Sequence, residues 1–190
     1  EVIIPSPYWL SYPEMARMAG AKPVFVETRQ DNDFKLTEKA LAARITKKTK
    51  ALILNSPSNP TGAVYDAEEL EFIKAIAVKH DFIVISDEIY EKLVYDGKRH
   101  VSIASLGKDI CERAVTVNGV SKSYSMTGWR IGYAAGPSWL MDAISNLQSH
   151  ATSNPASISQ RAALAGCAHE HIFRDVDLRF GTIGINGWIA

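Results

Sequence analysis

Lys122 stands in V-N-G-V-S-K-S-Y-S-M-T-G-W-R-I-G, residues 117–132, just beyond the apolar run Ala114–Val117. A lysine on an exposed face keeps its ammonium hydrated. A lysine among serines and glycines at the end of a buried strand is placed to react, because its free amine adds to a carbonyl and forms a Schiff base. Arg130 follows inside T-G-W-R-I-G. Its forked guanidinium suits a phosphate. Asp87 and Tyr90 lie in S-D-E-I-Y, residues 86–90, directly after the apolar run Phe82–Ile85. Asn59 lies in N-S-P-S-N-P-T-G, residues 55–62, after the apolar run Ala51–Leu54. Each has a plainer reading: a surface lysine, a cap or turn aspartate, a core tyrosine, a turn asparagine before Pro60. Their shared position at strand ends favours chemistry.

The elements that must position them alternate along the chain. Strands are predicted at Val2–Ile4, Pro23–Glu27, Ala51–Leu54, Phe82–Ile85, Ala114–Val117 and Ile131–Ala135. Helices are predicted at Tyr12–Ala19, with Pro13 in the first turn, and at Thr37–Ile45, with Thr37 as N-cap. The segment Asp66–His80 is the clearest helix, with Leu70, Ile73 and Ala77 at helical spacing and Asp66 and Glu69 forming a capping box. Trp139–Gln148 and Ile158–Ala168 are also helix-like. Uniformly apolar strands separated by helices imply an α/β fold of three layers, a mostly parallel sheet with helices on both faces. Ligands of such sheets bind at the carboxyl ends of the strands, where the residues above sit.

Composition removes several classes of function. Lys plus Arg and Asp plus Glu each number 21 in the 190 residues, so formal charge gives no support for nucleic-acid or membrane-surface binding. No apolar run reaches membrane-spanning length and no signal peptide is apparent, so a cytoplasmic protein is the simplest expectation. Cys111 and Cys167 have neither metal-ligand spacing nor a disulfide framework and are expected to be buried or inert thiols. His169 and His171 read as a polar tail rather than metal ligands, and His80, His100 and His150 are isolated. No metal site is expected. Gly128, Gly132 and Gly136 are expected to permit close backbone packing. Glu88, beside Asp87, is expected to be structural.

A pyridoxal 5'-phosphate site needs a lysine for the aldehyde, a carboxylate for the ring nitrogen, donors for the ring hydroxyl, a cation for the phosphate and an aromatic cover. S-P-Y-W (6–9), N-S-P-S-N-P-T-G (55–62), S-D-E-I-Y (86–90) and V-S-K-S-Y-S-M-T-G-W-R-I-G-Y (120–133) occur in that order. Together they resemble the fold-type-I aminotransferases, closest to the bacterial-type aspartate aminotransferase subgroup. The resemblance implies that Lys122 holds the aldehyde and shuttles the α-proton, and that Asp87 pairs with the ring nitrogen. It further implies that Tyr90 and Asn59 bond the ring hydroxyl, with Asn59 also seating the substrate carboxylate. Arg130 and Ser121 would bind the phosphate, and Trp9 would stack on the ring beside the substrate. The implied reaction is transamination between an amino acid, aspartate first, and a 2-oxo acid, in a homodimer.

The resemblance spans residues 1–167, an incomplete large cofactor-binding domain; residues 168–190 diverge and form a separate tail. The chain opens at Glu1, strand-like and without methionine, which suggests a piece of something longer. Family members carry an N-terminal phosphate loop and a C-terminal small domain that have no counterpart here, so little or no turnover and poor solubility are expected. Many relatives carry serine where this chain has Gly119, which removes one hydroxyl from the phosphate cradle. A lyase or synthase of the same fold, or a non-catalytic remnant, are the alternatives. A nucleotide-binding module is the distant one, since F-I-V-I-S-D-E has an acidic pair but the chain has no Gly-rich phosphate loop.

Overall fold

A computed structural model describes residues 1–168. Six strands form one sheet in the order β2-β1-β3-β4-β5-β6: β1 Val2–Ser6, β2 Pro23–Glu27, β3 Ala51–Asn55, β4 Ile83–Asp87, β5 Ala114–Gly119 and β6 Gly132–Ala135. All neighbours pair parallel except β5 and β6, which pair antiparallel. The reason lies in the link between them. Residues 120–131 hold only a four-residue helix, α5 (Val120–Ser123), and a 3₁₀ turn (Thr127–Trp129), so the chain never crosses back over the sheet and re-enters from the same end.

Side chains alternate across the sheet and build two cores. Ile3, Leu52, Leu54 and Val84 point to one face. There they meet Leu41 of α2 (Glu38–Ala42), Leu70, Ile73 and Ala77 of α3 (Ala67–His80), and Ile110 of α4 (Lys108–Cys111). Ile4 and Ile53 point to the other face and meet Tyr12 of α1 (Ser11–Met18). A third cluster joins Val120 of α5 to Ala163 of α7 (Ser157–Ala168) through Met126. The three-layer arrangement expected from the sequence is therefore present.

Local chemistry sets the boundaries. The Asp66 carboxylate accepts the Glu69 N–H at 2.9 Å while the Glu69 carboxylate accepts the Asp66 N–H at 2.8 Å, closing the expected capping box on α3. Thr37 caps α2 as expected, accepting the Ala40 N–H at 3.2 Å. That helix stops at Ala42 instead of running to Ile45, because Thr46 turns the chain by donating its N–H to Thr49 Oγ1 at 2.9 Å. Strand β4 begins one residue later than predicted and runs on to Asp87, since backbone pairing with β3 and β5 continues under the polar Ser86 and Asp87.

Two expectations are corrected. Cys111 and Cys167 are both exposed rather than buried. Gly136 does pack against backbone, a Cβ there falling 2.9 Å from the Ala114 carbonyl oxygen, but Gly128 has open space where its Cβ would be and is not a close-packing glycine. The side of the sheet nearest β6 is thinly covered. Every residue of β6 is exposed, and α6 (Ser138–Ala151) buries none of its side chains, leaving Trp139 and Leu147 in solvent. Among the described residues, no helix is long and apolar enough to cross a membrane. The tail from 169 onward, with His169 and His171, lies outside the described residues.

Candidate active site

The carboxyl ends of β3, β4 and β5 lie side by side, with Asn55 opposite Asp87 and Asp87 opposite Val117. Asp87 follows Ile85 on the α1 side of the sheet by strand alternation. It is 4% exposed. Tyr12 donates its O–H to Asp87 Oδ2 at 2.6 Å, and the Ile89 N–H donates to Oδ1 at 3.2 Å. Burial still dominates: desolvation pushes the Asp87 carboxyl above its ordinary value, Tyr12 and Ile89 pull it down, and the neighbouring Glu88 charge pushes it up. Burial and the Asp87 charge likewise push the Tyr90 phenol up, which keeps it a hydrogen-bond donor.

Lys122 sits on α5, beyond the end of β5. Its Nζ lies 5.8 Å from the centre of the Tyr90 ring. Desolvation, then the positive charge of Arg130, pulls the Lys122 amine below its ordinary value. Both effects enrich the neutral, nucleophilic form. Arg130 is held in a left-handed backbone conformation at φ 56° and donates from Nη1 to the Thr127 carbonyl at 2.9 Å. Ser121 joins the group by chain proximity, one residue before Lys122.

Asn59 and Trp9 connect to the cluster through residues that sequence reasoning missed. The Asn59 N–H donates to Asn55 Oδ1 at 2.7 Å, and Asn55 Nδ2 donates to the Asp87 carbonyl at 2.9 Å. Trp9 meets Tyr12 edge to face, with ring centres 5.4 Å apart and planes at 86°. Tyr12 and Asn55 thus tie the S-P-Y-W and N-S-P-S-N-P-T-G stretches to Asp87. A buried phenol needs a partner for its O–H, and the helical spacing of Tyr12 and Ala16 on one apolar face was the available signal.

Glu88 turns away from this cluster. Ser86 and Ser102 each donate to its Oε1 at 2.8 Å, and His100 Nε2 lies 2.9 Å from its Oε2. His100, isolated in sequence, therefore has a defined partner. Gly119 has a steric cause: a Cβ there would stand 2.7 Å from the Ile131 carbonyl oxygen and 3.1 Å from Gly132 Cα. A side chain here would require the β5–β6 pairing to shift.

The arrangement sets an amine of lowered basicity near a guanidinium and against a protonated phenol, and that phenol lies within the field of a buried acid. Comparison with known proteins decides the family. The profile of class I and II aminotransferases matches residues 1–180. The chain belongs to that family. It is 57% identical over 165 residues to the aspartate aminotransferase of Bacillus subtilis, covering 87% of this chain and 42% of that protein. It is 53% identical over 165 residues to a probable aspartate/prephenate aminotransferase of Rickettsia conorii, covering 86% and 41%. The crystal structure of the Rhizobium meliloti aspartate aminotransferase superposes with a TM-score of 0.87 at 43% identity, covering 92% of this aminotransferase chain and 44% of that one. The chain spans less than half the length of these relatives.

Proposed function

We propose that this sequence contributes the lysine-bearing large domain, residues 1–167, of a pyridoxal-phosphate-dependent transaminase acting on aspartate and a 2-oxo acid. The observation that carries the reading is the Lys122 amine, lowered in basicity by burial and Arg130 and set against Tyr90, which in turn feels the charge of the buried Asp87. The residues fit the cofactor on one specific point. The two donors of Asp87 do not offset the cost of its burial, and no cation pairs with it among the described residues; a protonated ring nitrogen would supply one.

When bound, pyridoxal phosphate supplies an aldehyde and a ring that withdraws electrons from the substrate α-carbon. The chain's residues then have distinct tasks. Lys122 Nζ would hold the aldehyde carbon, its amine made more nucleophilic by burial and Arg130. The Lys122 amine, neutral in a larger fraction than an ordinary lysine, would serve as the base that moves the proton of the substrate α-carbon. Asp87 would stand opposite the ring nitrogen and favour its protonated form. Tyr90 and Asn59 donate to the ring hydroxyl, and Asn59 also seats the substrate carboxylate. Arg130 and Ser121 hold the phosphate, and Trp9 covers the ring.

A second copy of the chain is the proposed partner, supported by the bare apolar side chains of β6 and α6. The names of the relatives support aspartate as amino donor, with prephenate as a second acceptor class. The 190-residue chain alone is proposed to turn over little, because it spans under half the length of those enzymes. The test is a visible spectrum with added pyridoxal phosphate, followed by borohydride reduction and peptide mass mapping. An adduct confined to Lys122, with conversion to the amine form on adding aspartate, is expected. Adducts scattered over several lysines, or none, would overturn the reading. Release of ammonia instead of transfer of nitrogen would favour a lyase.

A further inference from the structure

We infer that Tyr12 is a positioning residue that fixes the orientation and the charge of Asp87 from the first helix. The inference rests on the role given to Asp87 above and adds a residue that none of the four sequence motifs assigns a task. Tyr12 is 6% exposed and its hydroxyl is 2.6 Å from Asp87 Oδ2. A short hydrogen bond between two buried groups, one ionised, is of the strong, charge-assisted kind. Each Asp87 oxygen receives one donor from a different element: Oδ2 from α1, Oδ1 from the turn after β4. The carboxylate plane is thereby fixed at two points.

Tyr12 cannot exchange roles with its partner. Its burial and the Asp87 charge oppose loss of its proton, so it remains a donor wherever Asp87 is ionised. The charged and titratable groups that bear on Asp87 are Tyr12 from α1, and Glu88 and Tyr90 from the turn after β4; Glu88 opposes its ionisation. Tyr12 is the strongest of the groups that favour it. The edge-to-face contact of Trp9 on Tyr12 places the hydroxyl and the ring-covering aromatic on one short stretch, so the segment 9–12 sets both together.

The test reads Asp87 directly and needs no cofactor. In the chain labelled with carbon-13 at aspartate carboxyls, the Asp87 resonance is titrated in wild type and in Tyr12→Phe. Loss of the donor is expected to raise the Asp87 titration by about one pH unit, a tenfold change in its ionisation constant. Replacement of Tyr12 by 3,5-difluorotyrosine keeps the shape and makes the hydroxyl a better donor, so the titration moves down. A difluorotyrosine protein that folds as wild type does and titrates unchanged would overturn the inference, whether or not Tyr12→Phe folds. Pyridoxal phosphate retention at Lys122 is followed separately. In Tyr12→Phe it is expected to fall off about one pH unit higher on the acid side. If wild type shows no adduct at Lys122, the proposed function fails while the carbon-13 shift still decides the role of Tyr12.

Discussion

The end of β4 carries two adjacent buried acids with opposite surroundings. Glu88, 2% exposed, faces Ser86, Ser102 and His100, and its carboxylate is met by three side chains. Asp87, 4% exposed, has one side-chain donor and one backbone donor, and burial wins over both. Similar exposure therefore serves different ends. A buried carboxylate surrounded by donors holds a loop in place. One left short of positive partners is ready for a cation from outside the chain.

This contrast can be broken most forcefully at Asp87. On the proposed role of Asp87 opposite the ring nitrogen, Asp87→Asn in the full-length enzyme is expected to lower the rate of aspartate-driven conversion on the order of 10³-fold. The same substitution should stabilise the protein without cofactor. A carboxyl raised in the folded state contributes stability below its ordinary 3.8, and that contribution is lost as pH rises through the raised value. Denaturant unfolding at neutral pH should therefore show Asp87→Asn more stable than wild type, with the difference vanishing in acid.

Glu88→Ala should do the reverse. It strips a buried acid from its donors and is expected to cost about 3–5 kcal/mol in urea unfolding, with pyridoxal capture by the remaining folded protein unchanged. Gly119→Ala should cost about 1–3 kcal/mol, because the new methyl meets the Ile131 carbonyl and parts β5 from β6. The smallest shift concerns the pH profile governed by Arg130, apart from the cofactor affinity lost with the proposed phosphate contact. Arg130→Gln removes a like charge, so the pH dependence of pyridoxal capture by Lys122 should shift upward by less than about one unit, burial being the larger cause of the lowered amine. An Arg130→Gln profile that moved down would contradict the assigned electrostatics.

Much of this was legible in the sequence because apolar runs and capping residues report local structure. The six strands and the capped helix α3 follow from such signals. The ends of elements were less legible where tertiary pairing overrides polarity, as at Ser86 and Asp87, which stay in β4 through their hydrogen bonds to β3 and β5. The short helix under Lys122 has too few residues to show a period. The antiparallel return of β6 depends on the path of residues 120–131, which no pattern of side chains encodes. The candidate site residues were read from their motifs, whereas Tyr12 and Asn55 join Asp87 through hydrogen bonds distant in sequence. His100 is readable only beside Glu88.

The order of the site along the chain has a use of its own. Trp9, Tyr12, Asn59, Asp87 and Tyr90 all precede the exposed turn at Asp96 and Gly97, where the backbone adopts φ of 57° and 74°. Lys122 and Arg130 both follow it. Opening the chain at that turn would divide the molecule into two polypeptides, one holding the acid and the other the amine. Neither would capture pyridoxal phosphate selectively alone, and the yellow colour would return only on reassembly. The seam between β4 and β5 is thus a natural place to build a split reporter whose signal is the repair of the site itself.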